Sequence, residues 1–126
     1  MSRRDSVLSM RLILIRRRDS LRRALAGDMD LLERIRTQSV DDVVDQALDA
    51  ASEDVSSRLV EVETSELRNV ESALERMQNG NFGVCQGCGS QIPMARLNCV
   101  PYATHCVRCQ REVERRVLPL LNEVGG

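Results

Sequence analysis

The 126-residue chain has no tryptophan, one phenylalanine (Phe82), one tyrosine (Tyr102) and no lysine. Aromatic side chains bury large apolar areas and normally fill the centre of a compact globule of this size. Without them the apolar positions are Leu, Val, Ile, Met and Ala, the residues of helix seams. An elongated, mainly helical protein with little central core is expected. The missing lysine also removes any G-x-x-x-x-G-K phosphate loop. All 18 basic residues are arginine, which reads as a bias of composition. The single histidine, His105, has no Ser/Asp arrangement that would support nucleophilic catalysis, so no enzyme is expected. No stretch approaches the roughly 18 apolar residues of a membrane span. Leu12-Ile13-Leu14-Ile15 is too short for a signal-peptide core and runs straight into Arg16-Arg17-Arg18. A cytoplasmic chain with reduced thiols is expected.

What is present is a doubled cysteine pair. Cys85-Gln86-Gly87-Cys88 is answered, after a 17-residue loop, by Cys106-Val107-Arg108-Cys109. Paired C-x-x-C spacing fits a four-thiolate tetrahedral zinc site; two disulfides or four free thiols are the alternatives. Cys85, Cys88, Cys106 and Cys109 are therefore the expected ligands of one Zn²⁺. Four thiolates close the coordination shell and leave no position for water, so the metal is structural. The site would carry a charge near −2, which Arg96, Arg108 and Arg111 are placed to offset. Gly83, Gly87 and Gly89 are expected to supply the tight turns of the knuckles. The loop holds too few apolar groups, chiefly Ile92 and Leu97, to fold without metal. Cys99 lies out of register with both pairs and reads as a small buried residue. His105 abuts Cys106 but is not needed as a ligand.

Charge is unevenly spread. Residues 1–36 carry a net +5, residues 37–79 a net −8 and residues 80–126 a net +2. A basic segment followed by an acidic one suggests two helices that attract each other. Helical periodicity supports this. From about residue 5 to 36, Val7, Leu14, Leu21 and Ile35 recur in sevens, with Leu25 and Leu32 on the adjacent row; Asp28 interrupts the first row and Arg18 the second. Ser2 with Asp5 offers a capping box. A second helix is expected from about 41 to 78. Leu48, Val55, Leu59 and Val62 form its seam, then a slip of one leads to Leu67, Val70, Leu74 and Met77. Ser39 with Asp42 caps its start, and Asn79-Gly80 ends it. The short break favours an antiparallel hairpin, residues 1–79, with a tip at about 37–47 and a length of about 50 Å. A second region, 80–126, would hold the zinc unit (about 80–109) and a short final helix (about 107–117) that Pro119 should stop or kink.

Asp41, Asp42 and Asp45 cluster in the first turns of the second helix, where carboxylates offset the helix dipole. Asp42-Val43-Val44-Asp45-Gln46-Ala47 also resembles the D-x-x-D-x-A tip motif of the DksA/TraR family. Gly83 through Gly89, Ile92, Arg96-Leu97, Pro101 and Cys106 through Cys109 resemble that family's C4 zinc finger. The resemblance covers about residues 40–116. It implies a long antiparallel two-helix coiled-coil hairpin with a small four-cysteine zinc finger and a short C-terminal helix. It also implies a monomeric regulator of bacterial RNA polymerase whose hairpin enters the secondary channel. Asp42, Asp45 and Ala47 would act at the tip, and the finger and final helix would contact the channel rim. Members that respond to the alarmone ppGpp use basic residues on the second helix and after the last cysteine. Val62, Glu66, Asn69 and Gln110 stand in those regions here, which argues against such a response.

Two other readings remain open at this level. A zinc-ribbon DNA-binding protein would want a concentrated basic surface, and the net +2 of residues 80–126 is small for one. A thiol redox sensor would release zinc on oxidation of its cysteines.

Overall fold

The computed structural model describes residues 2–37 and 46–124, with side chains described for 2–37 and 51–120. The described residues form four helices in order: α1 (Arg3–Thr37), α2 (Gln46–Asn79), α3 (Met94–Cys99) and α4 (Val107–Val124). The described residues hold no strand, only an isolated antiparallel bridge between Val84 and Gln91. None of the described helices is long and apolar enough to cross a membrane. The protein is mainly α: a coiled-coil helical hairpin with a four-cysteine unit. The chain divides into two compact units, Arg11–Ser72 and Met1–Met10 together with Ala73–Gly126.

In the unit formed by residues 11–72, α1 and α2 pair along their length. The α1 seam follows the heptad reading: Leu14, Leu21 and Leu32 are buried, and Leu25 and Ile35 are partly covered. Ion pairs among the described residues tie the helices together: Arg17–Glu66, Arg22–Glu71 and Arg36–Glu53, each at 2.8–3.0 Å. Arg36, near the end of α1, reaches Glu53 near the start of α2, whereas Arg17 and Arg22, earlier in α1, reach Glu66 and Glu71 further along α2, the antiparallel sense. The opposite charges of the two segments thus meet across the seam, each exposed pair contributing modestly.

The α2 seam departs from the expectation. Val55, Leu59 and Val62 are 67%, 45% and 63% exposed, so they face outward; the side chain of Leu48 lies outside those described. The inward row is Ser56, Val60, Glu63, Leu67, Val70 and Leu74, stepping by three and four without a slip. The register of the well-packed lower half, set by Val70 and Ala73 at full burial, simply continues upward through polar residues. A helix turns at a fixed angle of about 100° per residue, so packing at one end dictates which positions face inward at the other. One of those polar residues, Glu63, has Asp28, the interruption in the α1 row, as a neighbour that raises its pKa.

The second unit contains the start of α1, the end of α2 and everything after it. Ser2 caps α1, its Oγ accepting from Asp5 N–H at 3.2 Å, which starts the helix two residues before its apolar period does. At the end of α2, Gly80 has φ +79°, with Asn81 N–H on the Arg76 carbonyl at 3.0 Å and Gly80 N–H on that of Met77 at 3.3 Å. These paired bonds make a Schellman stop. The unit's small core is Ile92 and Leu97, both fully buried, with Ala103 and Met10. Helix α4 continues through Pro119 to Val124. A mid-helix proline costs about 3 kcal/mol, chiefly through an unpaired carbonyl one turn earlier and a steric clash there. Residues 111–120 are all exposed, so water can satisfy that carbonyl.

Candidate metal centre

Two knuckles are built by the backbone around Cys85 and Cys106. Cys85 N–H donates to the Ser90 carbonyl at 2.8 Å and Gly89 N–H returns to the Cys85 carbonyl at 2.9 Å, closing the first turn. Gln86 N–H donates to the Thr104 carbonyl at 2.8 Å, stitching the first knuckle to the approach of the second. Gly83, with φ +76°, passes so close to Arg3 and Leu97 that a Cβ would lie 2.9 Å and 3.2 Å from them. Gly87 has an ordinary backbone; its requirement is space, since a Cβ there would sit 2.9 Å from Cys109 Sγ.

The result gathers Cys85, Cys88, Cys106 and Cys109. Their four sulfurs all lie within 4.8 Å of one another, a set that could hold a metal ion. A tetrahedral Zn²⁺ with bonds of about 2.3 Å places its sulfurs about 3.8 Å apart. Cys88 Sγ and Cys106 Sγ are 3.9 Å apart. No disulfide is formed, all five cysteines being free.

The electrostatics distinguish the four. Cys85 is buried, and its sulfur accepts from Cys106 N–H at 3.3 Å and Gly87 N–H at 3.4 Å. Led by the Cys106 N–H bond, these donors draw its pKa down to about 5. Ser90 Oγ, 2.9 Å from Cys88 Sγ, lowers the pKa of Cys88. Cys109 is pushed up to about 12, first by its hydrogen bond with Cys106 and then by that with Cys85. Four crowded sulfurs cannot all ionise without a cation between them. A divalent metal bound by four thiolates is what this donor set accommodates, and it would supply cross-linking alone, with no open position.

Other residues fall into place around this cluster. Cys99 ends α3 and is exposed, so it is neither a fifth member nor the buried residue its sequence position suggests. On α3, Leu97 takes the core position, and Cys99, two residues later, lies about 200° round the helix from it. His105 Nδ1 pairs with Thr104 Oγ1 at 2.8 Å and lies outside the four. Arg96 Nε donates to the His105 carbonyl at 3.1 Å. Arg96 and Arg108 line the recess onto which Cys88 and Cys106 open; Arg111 does not line it. The Ser90 hydroxyl and the short helix α3 carry no spacing signal. Asp42 and Asp45 lie outside the described residues, and Ala47 lies in the first turn of α2 with its side chain outside them.

Comparison with known proteins agrees with this geometry. The prokaryotic dksA/traR C4-type zinc finger matches residues 80–115. Transcription factor DksA2 from Pseudomonas aeruginosa superposes with a TM-score of 0.77 at 30% identity, covering 89% of this chain and 85% of that one. The chain belongs to the DksA/TraR family. Its zinc is structural, one ion per chain. The RNA polymerase-binding transcription factor DksA of Caulobacter vibrioides is 30% identical over 96 residues, 76% of this chain and 59% of that protein. An uncharacterized protein of Aquifex aeolicus is 39% identical over 64 residues, 51% of this chain and 44% of that one. The chain thus spans less than two thirds of the length of these two relatives.

Proposed function

We propose that the protein is a cytoplasmic, non-enzymatic transcription regulator that binds RNA polymerase through its secondary channel. In this reading the hairpin enters the channel, and Asp42, Asp45 and Ala47 act at its tip to modulate initiation. Cys85, Cys88, Cys106 and Cys109 hold one Zn²⁺ that anchors the knuckles. The observation that carries the reading is the fold agreement with a DksA-type transcription factor over nearly the whole chain. The name of the Caulobacter relative supplies the partner.

The physics of the residues supports it. The segment 37–47 holds Asp41, Asp42 and Asp45 and no basic residue, and a negatively charged tip is suited to a channel leading to catalytic Mg²⁺. The ion pairs Arg17–Glu66, Arg22–Glu71 and Arg36–Glu53 hold the hairpin together across its seam. The zinc unit contributes a cross-link, so no chemistry is asked of the cysteines. The protein acts as a monomer, without sequence-specific DNA binding. It acts without ppGpp, because Val62, Glu66, Asn69 and Gln110 leave no basic residue at the positions where a polyphosphate would need one.

The test is a pull-down with core polymerase followed by promoter transcription, comparing the parent with Asp45→Asn. The variant is expected to keep its zinc and helicity and lose most of its regulatory effect. Equal regulation by the two proteins would refute the tip mechanism, and a failure of the parent to bind polymerase would refute the whole reading.

A further inference from the structure

We propose that Arg96 and Arg108 form a cationic clamp on the Cys88–Cys106 edge of the zinc centre and set how tightly the protein holds its metal. The inference rests on the ligand assignment proposed above. Zn²⁺ with four thiolates carries a charge near −2. Cys88 is exposed and Cys106 half-buried, unlike the enclosed Cys85, so their excess charge is turned towards one face. On that face lies a recess lined by Cys88, Ser90, Pro93, Arg96, Cys106, Val107 and Arg108.

The two arginines are brought there by different means. Arg96 comes from α3, and its Nε is held by the His105 carbonyl, one residue before Cys106. That bond fixes its position and leaves its charge intact. Arg108 stands in the first turn of α4 and makes no ion pair or side-chain hydrogen bond with the described residues. Cys106 immediately precedes α4, and its carbonyl accepts from Gln110 N–H at 2.8 Å. The positive end of the helix dipole therefore points at the same sulfurs. Two guanidinium charges oppose a centre of charge near −2, so the recess is close to neutral once zinc is bound. That balance argues for a clamp on the metal centre and against a pocket for a free anion. The groups act through the ligands, as positioning residues of the metal site.

The experiment measures zinc affinity by competition with a chromophoric chelator, and the sulfur-to-metal charge-transfer band of the Co²⁺ form. Arg108→Gln should weaken zinc binding about tenfold and shift the band, and Arg108→Lys should restore most of both. The deficit of Arg108→Gln should shrink at high salt, since the side chain is exposed. Arg111→Gln, off the recess, should match the parent. Arg96→Gln should also weaken binding, but it removes the bond to His105 as well, so Arg108 decides the matter. Parental affinity in Arg108→Gln, or an equal loss in Arg111→Gln, would overturn the clamp. So would binding of inorganic phosphate at millimolar concentration to the zinc-loaded parent and not to Arg108→Gln. A parent protein that takes up no zinc would instead refute the ligand assignment.

Discussion

Gly87 and Gly27 show how differently one residue type acts at two places in this chain. A Cβ at Gly87 would lie 2.9 Å from Cys109 Sγ and 3.0 Å from its Cβ, whereas one at Gly27 meets nothing within 4 Å. Gly87→Ala must push apart the two knuckles. It is expected to reduce zinc affinity at least about tenfold in a chelator competition. Gly27→Ala sits within α1 and should raise stability by about 1 kcal/mol, read as a higher midpoint in denaturant. The same scale carries a pH prediction. Cys109 is held protonated up to about 12 and Cys85 ionised down to about 5. Filling the site at neutral pH therefore displaces the Cys109 proton, whereas Cys85 has already lost its own. Apparent zinc affinity should rise with pH across roughly 6–8, with proton release measurable in weakly buffered solution; a pH-independent affinity would contradict the assignment.

At the scale of the element, the hairpin separates apolar identity from burial. Leu21 is 4% exposed and Leu59 45% exposed, although both sit in rows of Leu and Val. Leu21→Ala should cost about 2–4 kcal/mol, and Leu59→Ala less than about 1 kcal/mol, both by urea denaturation. Glu63 is the other consequence of the α2 register. Burial raises its pKa first, and the neighbouring Asp28 raises it further; one of its oxygens is buried without a partner. A raised carboxyl pKa favours the fold below the unfolded value of 4.5. That contribution is lost as pH rises through the folded value. Glu66 behaves oppositely: its bond to Arg17 lowers its pKa. Its contribution is present above 4.5 and is lost as pH falls through its folded value. Glu63→Gln removes the penalty at neutral pH while leaving Glu66 in place. Its melting temperature should exceed the parent's by about 2 °C at neutral pH and lose that advantage near about pH 4. An equal gain at both pH values would show that charge is not the cause.

For the whole molecule, the division into two compact units has a consequence for metal removal. The unit holding the cysteines has a core of only a few side chains, chiefly Ile92, Leu97 and Ala103. A core of this size cannot offset the ordering of roughly thirty loop residues without a cross-link. The Arg11–Ser72 unit has its own seam and ion pairs. Chelating zinc should therefore abolish protection of amides in residues 83–106 while much of the helical signal of the hairpin persists. Hydrogen exchange followed by mass spectrometry reads this directly. Uniform loss of protection through α1 and α2 would show that the hairpin also depends on the metal.

The sequence by itself determined the chemistry of the centre and the class of the fold. Two C-x-x-C pairs dictate a tetrahedral donor set wherever the loop between them can close. Heptad leucines in α1 dictate a buried stripe, because helix pitch is constant. The stop at Asn79-Gly80 follows from local backbone preference alone. Only tertiary structure decided which face of α2 is inward, since Val55, Leu59 and Val62 satisfy the period as well as the residues chosen. The choice is made by packing at Val70 and Ala73, a remote constraint that residue identity does not carry. Tertiary structure also decided that Gly87 serves space rather than turn geometry, that Cys99 points outward, and that α4 runs through Pro119. It alone brought Arg96 and Arg108, from separate helices, to one recess beside Cys88 and Cys106. These facts depend on what lies opposite a residue, and distances between segments remote in the chain are set by the closed fold.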